Sequence, residues 1–212
     1  MKMLSIGCNS KLGKKIAIFN LPARKTCPGA TAYCGKICYA MKAERMYKAA
    51  AAMRARNYEA SLDSNFVFNM NTELLEFMKK GNQVRIHESG DFYSQTYLDA
   101  WINIAAYFPK ISFLAYTKMY DKLDFSKKPA NLVIYASYDP TTREKMGTQP
   151  PGLHECVIVD EPIVHAPGTV FAQDRTDFWY KCAPVTPGHH NYCGVSCTVC
   201  WAGSNNVIFQ KH

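Results

Sequence analysis

Apolar residues along the chain change their spacing repeatedly, and each change predicts an element. The run "IAIFNLP" (16–22) reads as a short strand stopped by Pro22. From Gly35 to Asp63 the chain is rich in Ala, Met, Arg, Lys and Glu with no proline or interior glycine, which predicts one long helix. "FVFNMNTELLEFMKK" predicts a second helix ending at Gly81. "QVRIHESGDF" follows as a strand and a turn, and "SQTYLDAWINIAAYF" is amphipathic at helical spacing up to Pro109. The alternation then repeats, with strands in "ISFLAYTK", "NLVIYASYD" and "ECVIVD", short helical pieces in "YDKLDF" and "TTREKM", and a further strand in "TVFAQD". Five or six strands separated by helices, with connections too long for hairpins, imply βαβ units and a parallel sheet. The count falls short of a complete barrel. The expected fold is α/β, an open or partial (β/α) barrel, with a doubly wound sheet as the alternative.

The rhythm stops in the tail, where "KCAPVTPGHHNYCGVSCTVCWAG" (181–203) is rich in Cys, His, Gly and Pro and carries little apolar periodicity. A bound metal would order such a segment. At 212 residues one domain spanning 1–212 is expected, with 181–203 as a Cys-rich metal-binding segment within it. A hydrophobic share of 48% with 20% charged residues excludes global disorder. No apolar run approaches the roughly 18 residues of a membrane helix, and "MKMLSIGC" lacks the apolar segment of a leader, so a cytoplasmic protein with no membrane partner is expected. The net charge of +8 permits a nucleic-acid partner, but Lys and Arg are dispersed along the chain instead of forming a block.

Nine cysteines in a chain expected to be cytoplasmic point to a metal, because disulfides do not persist in a reducing compartment. Cys182, Cys193, Cys197 and Cys200 form one group, spaced Cys-x10-Cys-x3-Cys-x2-Cys. Four thiolates are a complete ligand set for zinc or an iron–sulfur cluster, and three of them within eight residues suit a cubic [4Fe-4S] cluster, with zinc as the alternative. Cys27, Cys34 and Cys38 form an incomplete group just after the first predicted strand, where barrel sites gather. Three thiolates on a four-iron cluster leave one iron for a substrate, a cofactor or a remote fourth ligand such as Cys182. One or two clusters are therefore expected. Cys156, in an apolar strand, reads as a small buried hydrophobe; Cys8 stands apart; His189 and His190 read as polar loop residues.

In "VRIHESGD" apolar Val84 and Ile86 alternate with Arg85 and His87, which directs Arg85 and His87 into a barrel interior. The same alternation groups Tyr116 with Lys118, and Tyr135 with Ser137 and Asp139. A buried unpaired Arg is costly, so these groups either pair or meet a ligand. Arg85, His87, Glu88 and Asp91 are the candidate catalytic residues, although His87, Glu88 and Asp91 could equally brace the loop, and Asp91 could cap the following helix.

With these groups in view, the sequence resembles the phage and prophage gene product 88 family, through "NSKLGK", "LPARKTCPGATAYCGKICYA", "RIHESGDFYSQTYLDAW", "FLAYTK" and "CGVSCTVCW" through "VIFQKH". The resemblance implies a virus-encoded iron–sulfur protein with a partial (β/α) barrel, acting in the cytoplasm of an infected or lysogenic host cell. It names no reaction. A looser likeness is to radical S-adenosylmethionine (SAM) enzymes, whose loop after the first strand is usually Cys-x3-Cys-x2-Cys. Here that loop reads Cys-x6-Cys-x3-Cys, and the usual spacing stands at Cys193, Cys197 and Cys200. The expected function is iron–sulfur catalysis or electron transfer, with SAM as a candidate cofactor and an electron donor or small-molecule substrate as partner. The alternative is a zinc- or cluster-stabilised nucleic-acid-binding protein.

Overall fold

The structure is a computed structural model that describes residues 2–7, 9, 11–148, 150–160, 170–171, 179–182, 193–195 and 197–210. Cys8, His189, His190 and much of the segment 181–203 lie outside the described residues.

Nine strands form one mixed sheet. In chain order they are β1 (Ser5–Ile6), β2 (Ile16–Phe19), β3 (Gln83–Ile86), β4 (Ser112–Thr117), β5 (Leu132–Tyr138), β6 (His154–Val159), β7 (Val170–Phe171), β8 (Trp179–Lys181) and β9 (Asn206–Gln210). Their order across the sheet is β1-β2-β3-β4-β5-β6-β9-β8-β7. Seven of them, from β2 to β8, run parallel, and β1 and β7 add antiparallel edges. No pairing joins β1 to β7 among the described residues, so the sheet is open. The count exceeds the five or six expected strands because "NVIFQ" near the C-terminus enters the sheet beside β6, and β1 and β8 add short strands that lack a readable period. Within "TVFAQD" only Val170–Phe171 is described, as a strand.

Helices α4 (Phe66–Phe77) and α5 (Gln95–Tyr107) cover one face of the sheet. Phe66, Met70, Leu74 and Phe77 of α4 and Leu98, Trp101 and Ile104 of α5 recur at helical spacing and pack on Phe19, Val84, Ile86, Phe113, Ile134 and Tyr138. Trp101 is fully buried, with its ring 5.2 Å from Phe19 and 5.8 Å from Phe66. The other face carries Ile16, Leu114, Val133, Tyr135, Cys156 and Val207. It is covered by α6 (Val199–Ala202) through Cys200 and Trp201.

The expected long helix over 35–63 is instead α1 (Ala32–Lys36), α2 (Tyr39–Met46) and α3 (Lys48–Leu62). Cys38 and Tyr47 adopt extended backbone at the breaks. Tertiary contacts override the helical composition there: α2 folds back on α3, and buried Arg54 donates to Ala40 O (3.1 Å) and pairs with Glu44 (3.0 Å). "YDKLDF" forms turns, and "TTREKM" contains a 3-10 turn at Arg143–Lys145.

Candidate thiol and strand-end site

The loop that carries Cys27, Cys34 and Cys38 crosses the C-terminal ends of the strands one after another. Leu21 N–H donates to Ser89 O, and Asp91 N–H donates to Thr26 O, which fastens the loop to the end of β3. Gly90, at φ +92°, lets the two segments close: a Cβ there would stand 2.6 Å from Leu21 Cβ. Gly29 seats the loop on β4, since a Cβ would stand 2.5 Å from Lys118 O. Thr31 Oγ1 accepts from Cys34 N–H (2.9 Å) and donates to Asp139 Oδ2 (2.7 Å) beyond β5. Tyr33 OH reaches Asp160 past the end of β6 (2.5 Å). The three cysteines are thereby gathered above the sheet, and Cys27 interacts electrostatically with both Cys34 and Cys38.

Beneath them lies a polar network. Asp91 is buried; it accepts from Thr117 Oγ1 (2.6 Å), Phe92 N–H (2.7 Å) and Lys118 N–H (2.8 Å), and burial still pushes its carboxyl up to about 6. It ties the end of β3 to that of β4 and does not cap α5; Ser94 takes that role, accepting from Tyr97 N–H. Lys118 Nζ donates to Asp139 Oδ2 (2.8 Å) and Ser137 O (3.0 Å). Burial alone would raise Asp139, but the bonds from Lys118, Thr141 and Thr31 outweigh it and hold the carboxyl at about 2. Glu88 accepts from Asn9 and from Asn20 Nδ2 (3.2 Å), while Asn20 Oδ1 receives Glu88 N–H and Ser89 N–H.

Arg85 and His87 part company. Arg85 points to the α6 side, its guanidinium 4.0 Å from the Tyr116 ring centroid. His87 does not look inward as expected. Its φ of +62° ends the strand alternation and turns the ring to the helix side, 4.9 Å from the Phe92 ring, with Nε2 bonded to Tyr97 OH (2.8 Å). Burial first, and the Arg85 charge second, lower the imidazole to about 3. Arg85 has no carboxylate partner among the described residues. Its Nε is buried without a hydrogen bond, and Nη2 makes only a long contact to His87 O (3.4 Å).

The four tail cysteines come together on that same face. Gly13 N–H donates to Cys193 O (3.1 Å) and Cys193 N–H to Lys11 O (3.0 Å), anchoring the tail beside the start of β2, while Cys182 N–H donates to Ile208 O of β9 (2.9 Å). Gly194 N–H to Cys197 O (2.7 Å) folds the next turn, and α6 sets Cys200 against Tyr116 and Tyr135. Each of Cys200, Cys193 and Cys197 acts on Cys182 electrostatically, so Cys182 lies near the other tail cysteines. Burial pushes Cys27, Cys156 and Cys182 up to about 12 and Cys200 to about 11, which keeps them thiols unless a metal takes the proton's place. No disulfide links the described cysteines. Among the described residues no three Cys, His, Asp or Glu side chains converge tightly enough for a single ion. By chemistry alone, four thiols within electrostatic reach of one another, beside a guanidinium with no carboxylate partner among the described residues, are a donor set suited to a soft metal. Cys156 is a buried strand residue close to Cys200 and Arg85, as its apolar surroundings predict.

Sequence reasoning missed Thr31 and Asn20, which hold the loop to the strand ends. Both lie inside stretches read for other residues, Asn20 in "IAIFNLP" and Thr31 between Cys27 and Cys34, where nothing in the local pattern marks a polar side chain as a tether.

No helix among the described residues is long and apolar enough to cross a membrane. No solved structure matches the chain. The chain is 34% identical over 126 residues to the gene 88 protein of Mycobacterium phage D29, covering 54% of this chain and 52% of that protein. It is 35% identical over 126 residues to the gene 88 protein of Mycobacterium phage L5, covering 54% and 53%. The chain thus spans about half the length of the curated relatives it matches. The family model described as gene product 88 matches residues 3–204, so that loop, strand ends and most of the tail fall within it, and the chain belongs to the gene product 88 family.

Proposed function

We propose that this protein is a thiolate–metal protein of the host cytoplasm, with an iron–sulfur cluster on Cys182, Cys193, Cys197 and Cys200 and a second, open site on Cys27, Cys34 and Cys38. The observation that carries this reading is Arg85. A half-buried guanidinium with no carboxylate partner among the described residues is costly, and protonated thiols would offer it no counter-charge. Four thiolates around a divalent metal, or around a cubic cluster of charge +2, carry a net charge of about −2, which is what a cation in that place needs. Such a cluster supplies one-electron transfer when bound. The chain's part is to exclude water with Trp201, Tyr116 and Tyr135 and to hold Arg85 toward the thiolates. Among the described residues the only cysteines that act on Cys27 are Cys34 and Cys38, and a set of three leaves room for an exogenous ligand, SAM among the candidates, above Asp91 and Lys118. The inward sweep of the sheet fits a partial barrel: the Tyr116 ring on β4 meets that of Phe209 on β9 at 5.6 Å, although β5 and β6 lie between those strands.

Arg85→Gln and Arg85→Lys variants test the reading through metal retention against a chelator. Loss of the charge should weaken retention roughly tenfold, about 1.4 kcal/mol, and the Lys variant should recover part of it. Equal retention in all three proteins would detach Arg85 from the metal.

A second reading draws on α2 and α3, where Tyr39, Met46 and Tyr47 are exposed among exposed Lys42, Arg45 and Lys48. Aromatic rings interleaved with cations suit single-stranded nucleic acid. Salt-dependent binding of an oligonucleotide, lost in a Tyr39→Ala/Tyr47→Ala variant, would favour it.

A further inference from the structure

A cavity of about 110 Å³ opens where the cysteine-bearing loop meets the ends of β4 and β5. We propose that it binds the carboxylate or phosphate group of a small molecule. Gly29 and Thr31 from the loop, Lys118 and Lys122 from the end of β4, and Thr142 and Lys145 beyond β5 line it. In open parallel α/β sheets, ligands bind outside the carboxyl ends of the strands, and this cavity lies there. Three lysines converge on it. Lys118 is held almost wholly buried by Asp139, its side chain 11% exposed, which fixes one ammonium group as the floor. Lys145 meets Asp121, which also lines the cavity, at 3.3 Å, but both side chains are about half exposed, and such a pair is weak and readily exchanged for a ligand. No carboxylate pairs with Lys122 among the described residues. The lining thus keeps a positive excess with both ion pairs intact: three ammonium groups face the carboxylates of Asp121 and Asp139.

The cavity is sized for one oxyanion group, and the remainder of a ligand would extend along the loop toward Cys34, which already feels the charge of Lys118. Ligand class therefore follows from the lysines, while proximity to the trio follows from the loop. The proposal does not depend on metal being present, although a ligand held here would stand beside the open site described above.

Calorimetric titration of the full chain at low salt, with inorganic phosphate in one arm and malonate in the other, tests it. Saturable binding of one anion per chain is expected in at least one arm, and the stronger arm identifies phosphate or carboxylate as the group recognised. Lys122→Gln and Lys145→Gln, both on exposed side chains, should each weaken it roughly tenfold, while Lys79→Gln, in the turn just after α4, should leave it unchanged. Metal content measured on the same samples separates this proposal from the thiolate–metal reading: anion binding with no metal retains the former and sinks the latter. The proposal is overturned if neither anion saturates, if the double Lys122→Gln/Lys145→Gln variant binds as the parent does, or if only a longer oligonucleotide binds.

Discussion

At the scale of single residues, Arg85 and His87 separate what alternation would join. The pattern "VRIH" makes Arg85 face away from the helices, and it does so. His87 obeys another constraint, because its left-handed backbone at φ +62° swings the ring among Phe19, Phe92 and Tyr97. A positive φ at a non-glycine residue is set by the turn into Glu88, Ser89 and Gly90, and no hydrophobic period reports it. The buried imidazole has a pH signature. Its pKa falls from the usual 6.5 to about 3, so the unfolded chain binds more protons between those values, and stability should drop as pH falls from about 6.5 toward 3. Asp91, raised to about 6, works in the opposite sense over about pH 4 to 6, so the informative quantity is a difference between proteins. Denaturant unfolding at pH 7 and pH 5 should show His87→Gln losing less stability on acidification than the parent. Identical losses would mean that His87 takes no part in the pH response.

At the scale of elements, strands with a clean apolar run were legible, and those defined only by their partners were not. β4 and β5 could be read directly because strands buried on both faces form near-continuous apolar stretches such as "LVIYASY". β9 could not, since "NVIFQ" stands in a cysteine-rich tail and gains its meaning from lying between β6 and β8. Likewise the break at Tyr47 carries no proline or glycine and arises from the packing of α2 on α3. Spacing alone suggests the tail cysteines as a group, whereas the seat of Cys200 against Tyr116 and Tyr135, with Cys182 and Cys193 packed near the same cluster, needed the fold. From that seat the cost of losing them follows. Cys197→Ala should remove metal and lower the melting temperature together, because metal-binding energy in so irregular a segment is folding energy. Cys156→Ala should keep metal and lose only about 1 kcal/mol for the small cavity. The reverse pattern, measured by melting and metal analysis on both variants, would put the metal elsewhere.

At the scale of the whole molecule, the sheet divides two kinds of interior. The helix side, centred on Trp101, Phe19 and Phe113, is an aromatic and aliphatic core that needs no further ligand. The opposite side collects Arg85, the tail thiols, Cys156 and stacked Tyr116 and Tyr135, with the trio and the lysine-lined cavity at the strand ends. The thiols and Arg85 thus lie on one side of the sheet, while the helix side holds a core whose buried polar side chains include His87, bonded to Tyr97. Iron held by the cysteines, as proposed above, would give these features a common purpose. Protein produced with iron available and purified without oxygen should be brown. Iron and acid-labile sulfide measured together should appear in equal amounts, near four of each per chain for one cubic cluster or near eight for two, with little zinc. A colourless, folded protein with one zinc per chain and neither iron nor sulfide would contradict the account.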